Sequence, residues 1–304
     1  MVKKLYTESY VEDIADAIRA KNDSSDTYTV AEMAAAISSL PLRIPANMGL
    51  GSSLYASFPS NTIFEPREHC YSMFINCALL ETAPFFDTSN VASMRQMFGS
   101  CQSLVSVPLY DTSNVTDMHA MFGACLALTA VPAFDTSKVT DMGSMFYNCR
   151  SLASVPLFDT SSVENMEAMF GWNYSITEVP LFDTSNVTNM DAMFYFCEGL
   201  ISVPQFDTGK VEGVGDMFRA CSALTTLPVF DFSSVGWDMV DAFSGCDSLT
   251  NESLQNILKT LLTATSYTGS KTLKQIGLSG TQATTCTGFT EWTTLSSNGW
   301  TTGY

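Results

Sequence analysis

The sequence has almost no histidine and little positive charge. His69 and His119 are the only two histidines in 304 residues, and no H-E-x-x-H, C-x-x-C, P-loop or G-x-S-x-G pattern occurs. A zinc hydrolase, a dithiol redox site, a phosphate cradle and a serine esterase therefore lack their defining residues; Gly49-Leu50-Gly51 is too short for a nucleotide loop. Fourteen Lys and Arg against 31 Asp and Glu leave a net charge of −17, and the basic residues form no cluster. Such a chain repels phosphate backbones and anionic lipid, so neither nucleic acid nor a membrane surface is an expected partner. Long apolar runs are missing as well. No stretch reaches the length of about 18 residues that a membrane-crossing helix requires, and MVKKLYTESYVEDIADAIRA has neither the apolar core nor the small-residue cleavage site of an export signal. The reading is a chain with no membrane insertion, no signal peptide, no cofactor, no metal and no enzymatic activity.

What the sequence does have is repetition. Asp87, Asp111, Asp135, Asp159, Asp183, Asp207 and Asp231 recur every 24 residues, inside the unit D-T-S-x-V-x-x-M-x-x-M-F-x-x-C-x-x-L-x-x-V-P-x-F. A half copy precedes it at Met73, Phe74, Cys77, Leu80 and Pro84, and the last copy slips by one residue to Phe243, Cys246 and Leu249. A period of this length lies in the range of leucine-rich repeats, whose units bury their apolar face only against one another. With 46% hydrophobic and 15% charged residues the chain has ample material for such a core.

Within the unit, Val187, Met190, Met193 and Phe194 have helical spacing, which predicts a short helix or 3₁₀ segment. Asp-Thr-Ser ahead of it offers N-terminal caps, and Ser161-x-x-Glu164 reads as a capping box. Leu104-x-x-Val107-x-Leu109 matches a repeat strand with Val107 and Leu109 inward, so strands of successive copies should form one parallel sheet, shortened by Pro108, Pro132, Pro156, Pro180, Pro204 and Pro228. The predicted fold class is an α/β repeat, a leucine-rich-repeat solenoid of parallel strands and short helical segments. Cys77, Cys101, Cys125, Cys149, Cys197 and Cys221 share one repeat position, where Asn173 stands in the remaining coil; the expectation is reduced core thiols, since Asn cannot bridge. The aromatic row Phe86, Tyr110, Phe134, Phe158, Phe182, Phe206 and Phe230 is assigned to the core. Met118 and Met121 and their counterparts read as core filling. One carboxylate per coil falls short of the six to eight or so oxygens that calcium takes, so capping accounts for the aspartates better than a metal does.

The ends differ. Ser9-x-x-Glu12 and Thr29-x-x-Glu32 each precede apolar residues at helical spacing, which predicts a helical hairpin over 7–40. The domain reading is a hairpin at 1–40, a connector and entry cap at 41–63, a solenoid at 64–250 and a C-terminal cap at 251–304. In that cap Leu254, Ile257, Leu258 and Leu261 predict an amphipathic helix, Leu273-x-x-Ile276-x-Leu278 one more repeat strand, and the Thr-rich tail TQATTCTGFTEWTTLSSNGWTTGY a cover for the last sheet edge.

The cadence F-D-T-S-x-V-T-x-M-x-x-M-F-x-x-C-x-x-L resembles the BspA-type leucine-rich repeats of bacterial surface proteins over residues 64–250. That resemblance implies binding or adhesion and no reaction. The segment VEDIADAIRAKNDSSDTYTVAEMAAAI, with its I-A-x-A-I-R-x-K and Y-x-x-x-E-M-A-x-x-I cores, is similar to a small N-terminal module of phage and prophage tail or minor structural proteins. The two together point first to a tail-associated host-attachment protein, on the virion, whose hairpin docks to tail proteins and whose solenoid meets a bacterial cell-surface receptor, protein or glycan. The alternative is a BspA-type adhesin on the bacterial cell surface that binds host matrix proteins. Either would read its partner through the positions that drift among the copies: Ser106, Ala130, Ser154, Glu178, Ser202 and Thr226.

Overall fold

The computed structural model describes residues 43–45, 62–65, 68–236 and 238–304. The hairpin expected at 7–40 lies outside them. Two short strands, β1 (Arg43–Pro45) and β2 (Ile63–Glu65), pair in parallel with Arg43 opposite Ile63. From residue 68 onward the chain winds as stacked coils. A continuous parallel ladder joins His69, Ser93, Asp117, Asp141, Asn165, Asn189, Gly213 and Asp238, one residue from each coil, and the single inserted residue falls before Asp238.

This ladder is not where the leucine-rich pattern places it. It enters the segment expected to be helical, and that segment is a chain of tight turns. Between Met118 and Cys125 every amide has an acceptor, and the acceptors alternate. Met118, Ala120, Phe122 and Ala124 donate across to the carbonyls of Asp141, Gly143, Met145 and Tyr147 in the next coil, at 2.7–3.0 Å. Met121, Gly123 and Cys125 donate back three residues within their own coil, and His119 donates to Asp117 Oδ1. The same scheme replaces the helix expected over Val187–Phe194, where Met190, Ala192 and Phe194 bond to Gly213, Gly215 and Met217. Such winding needs left-handed residues: Ala120 and Ala124 have φ of 51° and 61°, and their counterparts Ala168, Ala192 and Ala220 share the conformation. Tight turns return every third or fourth side chain to the same side, just as a helix does, so Met118, Met121, Phe122 and Cys125 are buried as the spacing requires.

The expected capping box is also absent. The Ser161 hydroxyl bonds to Asp159 Oδ1 at 2.7 Å, and the Glu164 amide reaches back to Thr140 of the preceding coil at 2.9 Å. On the side expected to carry the main sheet, the described residues show only the bridges Thr82 to Ser106 and Ser202 to Thr226. The prolines that follow supply no ladder donor, which leaves isolated pairings such as Val105 N–H to Glu81 at 3.0 Å. The chain bends there, so Tyr110 is buried and Leu109, expected inward, is 61% exposed.

The core is a set of parallel side-chain rows. Phe98, Phe122, Phe146 and Phe170 stack with centroids 5.8 Å apart. The expected aromatic row from Phe86 to Phe230 is buried beside them, as Phe122 against Phe134 at 6.2 Å shows. The thiols of Cys101, Cys125, Cys149, Cys197, Cys221 and Cys246 also have partners. Cys125 Sγ donates to the Phe98 carbonyl at 3.1 Å, Cys149 to Phe122 likewise, and Asn173 puts its amide on Phe146 and Phe170 at 2.9 Å. Burial pushes the Cys149 and Cys197 thiols up to about 12, which keeps the S–H that these bonds use. A row of buried threonines completes the stack: the Thr112 hydroxyl donates to the Asp135 carbonyl at 2.8 Å and Thr136 to Asp159 at 2.7 Å.

The last coil is closed by side chains. The predicted amphipathic helix is α1 (Asn251–Thr263), capped by Thr250, with Leu254, Ile257, Leu258 and Leu261 buried. Its Ser253, Thr260 and Thr263 hydroxyls accept from the Leu227, Phe230 and Phe232 amides at 2.7–3.0 Å. Residues Leu273, Ile276 and Leu278 are buried as expected, but in turns, and Gln275 and Ile276 accept the amides of Asp241 and Phe243. The Thr-rich tail supplies two helices not foreseen, α2 (Gly280–Cys286), with a capping box from Ser279 and Gln282, and α3 (Thr290–Ser297).

Candidate recognition surface

The drifting positions fall in one row because they are one coil apart. Ser106, Ala130, Ser154, Glu178 and Thr226 are exposed, and Ser202 is half-buried. Beside them the outward turn of the chain after each proline makes a second, apolar row, which includes Leu109, expected inward. Phe85, Leu109, Leu157 and Leu181 are 73, 61, 66 and 61% exposed.

The aspartate row lies on the outer edge. Asp111, Asp135 and Asp159 each accept from the amide and hydroxyl of the serine two residues on, at 2.7–3.1 Å. The serine bonds hold these three carboxyls below the usual carboxylate range, so all three are ionised at neutral pH. The carboxylates cap turns, as expected in kind, though the turns open no helix. Among the described residues no group of three or more His, Cys, Asp or Glu is placed to hold a metal. His69 is exposed, and His119 Nδ1 stands 3.5 Å from Asp141 Oδ2, which also lies 3.5 Å from Arg95. Asp191 is the carboxylate that burial disturbs most: desolvation, with Asp238, Glu167 and Asp216 nearby, pushes it up to about 6 against a bond from the Gly215 amide.

The structure also gathers aromatic residues that the repeat unit does not contain. On the side of the tight turns, Tyr147, Trp172, Tyr174, Tyr195 and Phe196 gather at the surface. Trp172 stacks on Phe196 at 4.4 Å and 2°, and meets Tyr174 and Tyr195 edge-on at 6.2 and 6.0 Å. Gly171 leaves room for the Tyr147 ring, which a Cβ there would meet at 3.0 Å. Arg150 lies over the Tyr174 ring at 5.4 Å and Arg219 over Tyr195 at 5.9 Å. The signal was present: the repeat position of Trp172 and Phe196 is held by Ser100, Ala124, Asn148, Ala220 and Gly245 in other coils.

Stacked 24-residue coils, inward rows that barely change and outward positions that do, define a repeat solenoid. The chain belongs to the family described as Mycoplasma protein of unknown function, DUF285, whose model matches residues 68–178 and 153–257. No curated protein matches it. Among solved structures it is similar to a leucine-rich repeat protein of T. pallidum, at 19% identity over 65% of this chain and 86% of that one, with a TM-score of 0.40. A leucine rich cell surface protein from Faecalibacterium prausnitzii A2-165 matches at 18% identity over 69% and 78%, with a TM-score of 0.30. An internalin (inlF) from Listeria monocytogenes matches at 12% identity over 84% and 94%, with a TM-score of 0.27.

Proposed function

We propose that the chain is a non-enzymatic binding protein, a surface adhesin of the BspA type that recognises a host protein with the exposed side of its solenoid. The observation that carries this is the division of labour within the repeat. Phenylalanine, methionine, valine, threonine and cysteine rows recur inward from coil to coil, while Ser154, Glu178, Ser202 and their neighbours differ on the outside. A scaffold that holds its core constant and changes its face is suited to recognition, and the resemblance of its repeat to BspA-type surface proteins agrees. The attachment reading, with a phage tail as the carrier, draws on residues 7–40 alone, and nothing in the solenoid or the comparisons adds to it.

The test is adsorption of labelled protein to immobilised basement-membrane extract and, in parallel, to a panel of bacterial cells. The adhesin reading expects saturable binding to the extract. Binding to bacteria alone would replace it with the phage reading, and binding to neither would remove both. Changing Ser154, Glu178 and Ser202 together to lysine asks whether the drifting row is the contact.

A further inference from the structure

The aromatic surface at Trp172 is unlike the rest of the solenoid. Its repeat position is left-handed, with φ of 63° at Trp172 and 56° at Phe196, a conformation costly for bulky side chains. Other coils fill it with Ser, Ala, Asn or Gly, so the fold asks for nothing large there. Two consecutive coils nevertheless carry Trp and Phe, and the adjoining position carries Tyr147 and Tyr195 where Gly99 and Gly123 stand elsewhere. The rings are only partly covered: Tyr147 is exposed, and Trp172, Tyr174, Tyr195 and Phe196 are half-buried.

The charges at the patch are unequal. Arg219 is neutralised by Asp216 at 3.1 Å and Asp241 at 3.2 Å. The Arg150 guanidinium donates to Asn148 Oδ1, at 2.8 Å, and among the described residues has no carboxylate within ion-pair distance. In a chain with 31 acidic and 14 basic residues, a guanidinium over a tyrosine ring without an acid is an open donor to a carboxylate from outside. At the Tyr195 end Arg219 already carries Asp216 and Asp241, so an incoming carboxylate is directed to the Arg150 end.

We propose that Trp172, Phe196, Tyr147, Tyr174, Tyr195 and Arg150 form a docking site for an extended, proline-containing acidic segment of a partner protein. Tyr, Trp and Arg are the residues that concentrate binding energy at protein interfaces. Proline rings stack on aromatic faces and come preordered in the polyproline II form, so little entropy is lost on docking. A glutamate in the segment pairs with Arg150. This rests on the binding reading above and names the surface that carries it, away from the drifting row at Ser154.

A fluorescence-polarisation titration of the full chain with labelled Pro-Pro-Glu-Pro-Pro-Glu-Pro-Pro tests it. We expect saturable binding with Kd below roughly 1 mM. Replacing both Trp172→Ala and Phe196→Ala should weaken it at least about tenfold, in a variant that still folds because Ala124 and Ala220 occupy the same repeat position. Arg150→Gln, a change at an exposed side chain, should erase the preference for this peptide over its Glu→Gln version. No saturable binding, or binding indifferent to these changes, overturns the proposal. So does binding of a glucuronate-containing oligosaccharide in place of the peptide, which would make the occupant a carboxylated sugar. Adsorption to basement-membrane extract without peptide binding would discard this site and keep the adhesin reading; peptide binding without adsorption would do the reverse.

Discussion

Replacing alanine by glycine usually weakens a protein, and here the backbone reverses the sign at chosen positions. Ala120, Ala168 and Ala192 have φ of 51°, 50° and 55°, where an L-residue's Cβ crowds the following carbonyl at a cost of about 1–2 kcal/mol. Glycine removes that cost and gives back about 0.5–1 kcal/mol through the greater freedom of its unfolded chain. The net gain is therefore on the order of 0.5–1 kcal/mol per site. Ala120 lies two coils from Ala168, but Ala168 and Ala192 sit in adjacent coils, the Ala168 amide donating to the Asp191 carbonyl, so the triple variant should gain roughly 1–3 kcal/mol. For a solenoid of this size, at about 2 °C per kcal/mol, that corresponds to a rise in Tm of about 2–6 °C. Ala153→Gly is the control. Ala153 is exposed and is not left-handed, so the same atoms removed there should cost about 0.5–1 kcal/mol. Thermal and urea unfolding followed by circular dichroism gives both signs in one experiment. Losses at all four positions would refute the left-handed winding and revive a helix through Met118–Cys125.

Phe146→Ala should cost about 3–5 kcal/mol, because its ring touches Phe122, Phe170 and Phe158, whereas Leu157→Ala at an exposed position should cost under about 1 kcal/mol; urea titration compares them. Asp191→Asn should stabilise the protein at pH 7 by roughly 1–2 kcal/mol once solvent screening is allowed for, since the amide keeps an oxygen for Gly215. A folded value raised to about 6 from 3.8 means that the parent loses stability as pH rises from about 4 through 6, and the variant should lack that slope in melting curves taken across the range. The buried thiols should react with Ellman's reagent only after denaturation, and adjacent-coil disulfides found by non-reducing mass spectrometry would contradict the S–H donation to the phenylalanine carbonyls.

The repeat period, the buried phenylalanines and α1 were legible because burial leaves its mark on which residues are apolar. How the backbone returns those residues to the core was not. Met118, Met121, Phe122 and Cys125 face inward whether the chain is helical or turns tightly with Ala120 and Ala124 left-handed, and alanine gives no sign of the difference. The alternation of amides is visible only once Asp141 to Tyr147 lie alongside. Leu109 was misplaced because strict strand alternation was carried across Pro108, where the chain bends. At the surface, Ser106, Ala130, Ser154, Glu178, Ser202 and Thr226 were picked for changing identity alone. The aromatic patch needed a different comparison, of size: Trp172 against Ser100 and Ala124 at the same point of the coil.

The alternating amides have a consequence for how such a gene can change. Each coil donates the same four amides to the next and accepts the same four from the coil before it, and the inserted residue before Asp238 falls outside the alternating segment. Strand slippage or recombination that removes or adds one whole unit of coding sequence therefore leaves matching faces at the new junction. A partial unit would put donors opposite donors. The exposed surface can therefore lengthen or shorten in whole steps without a new junction having to be evolved.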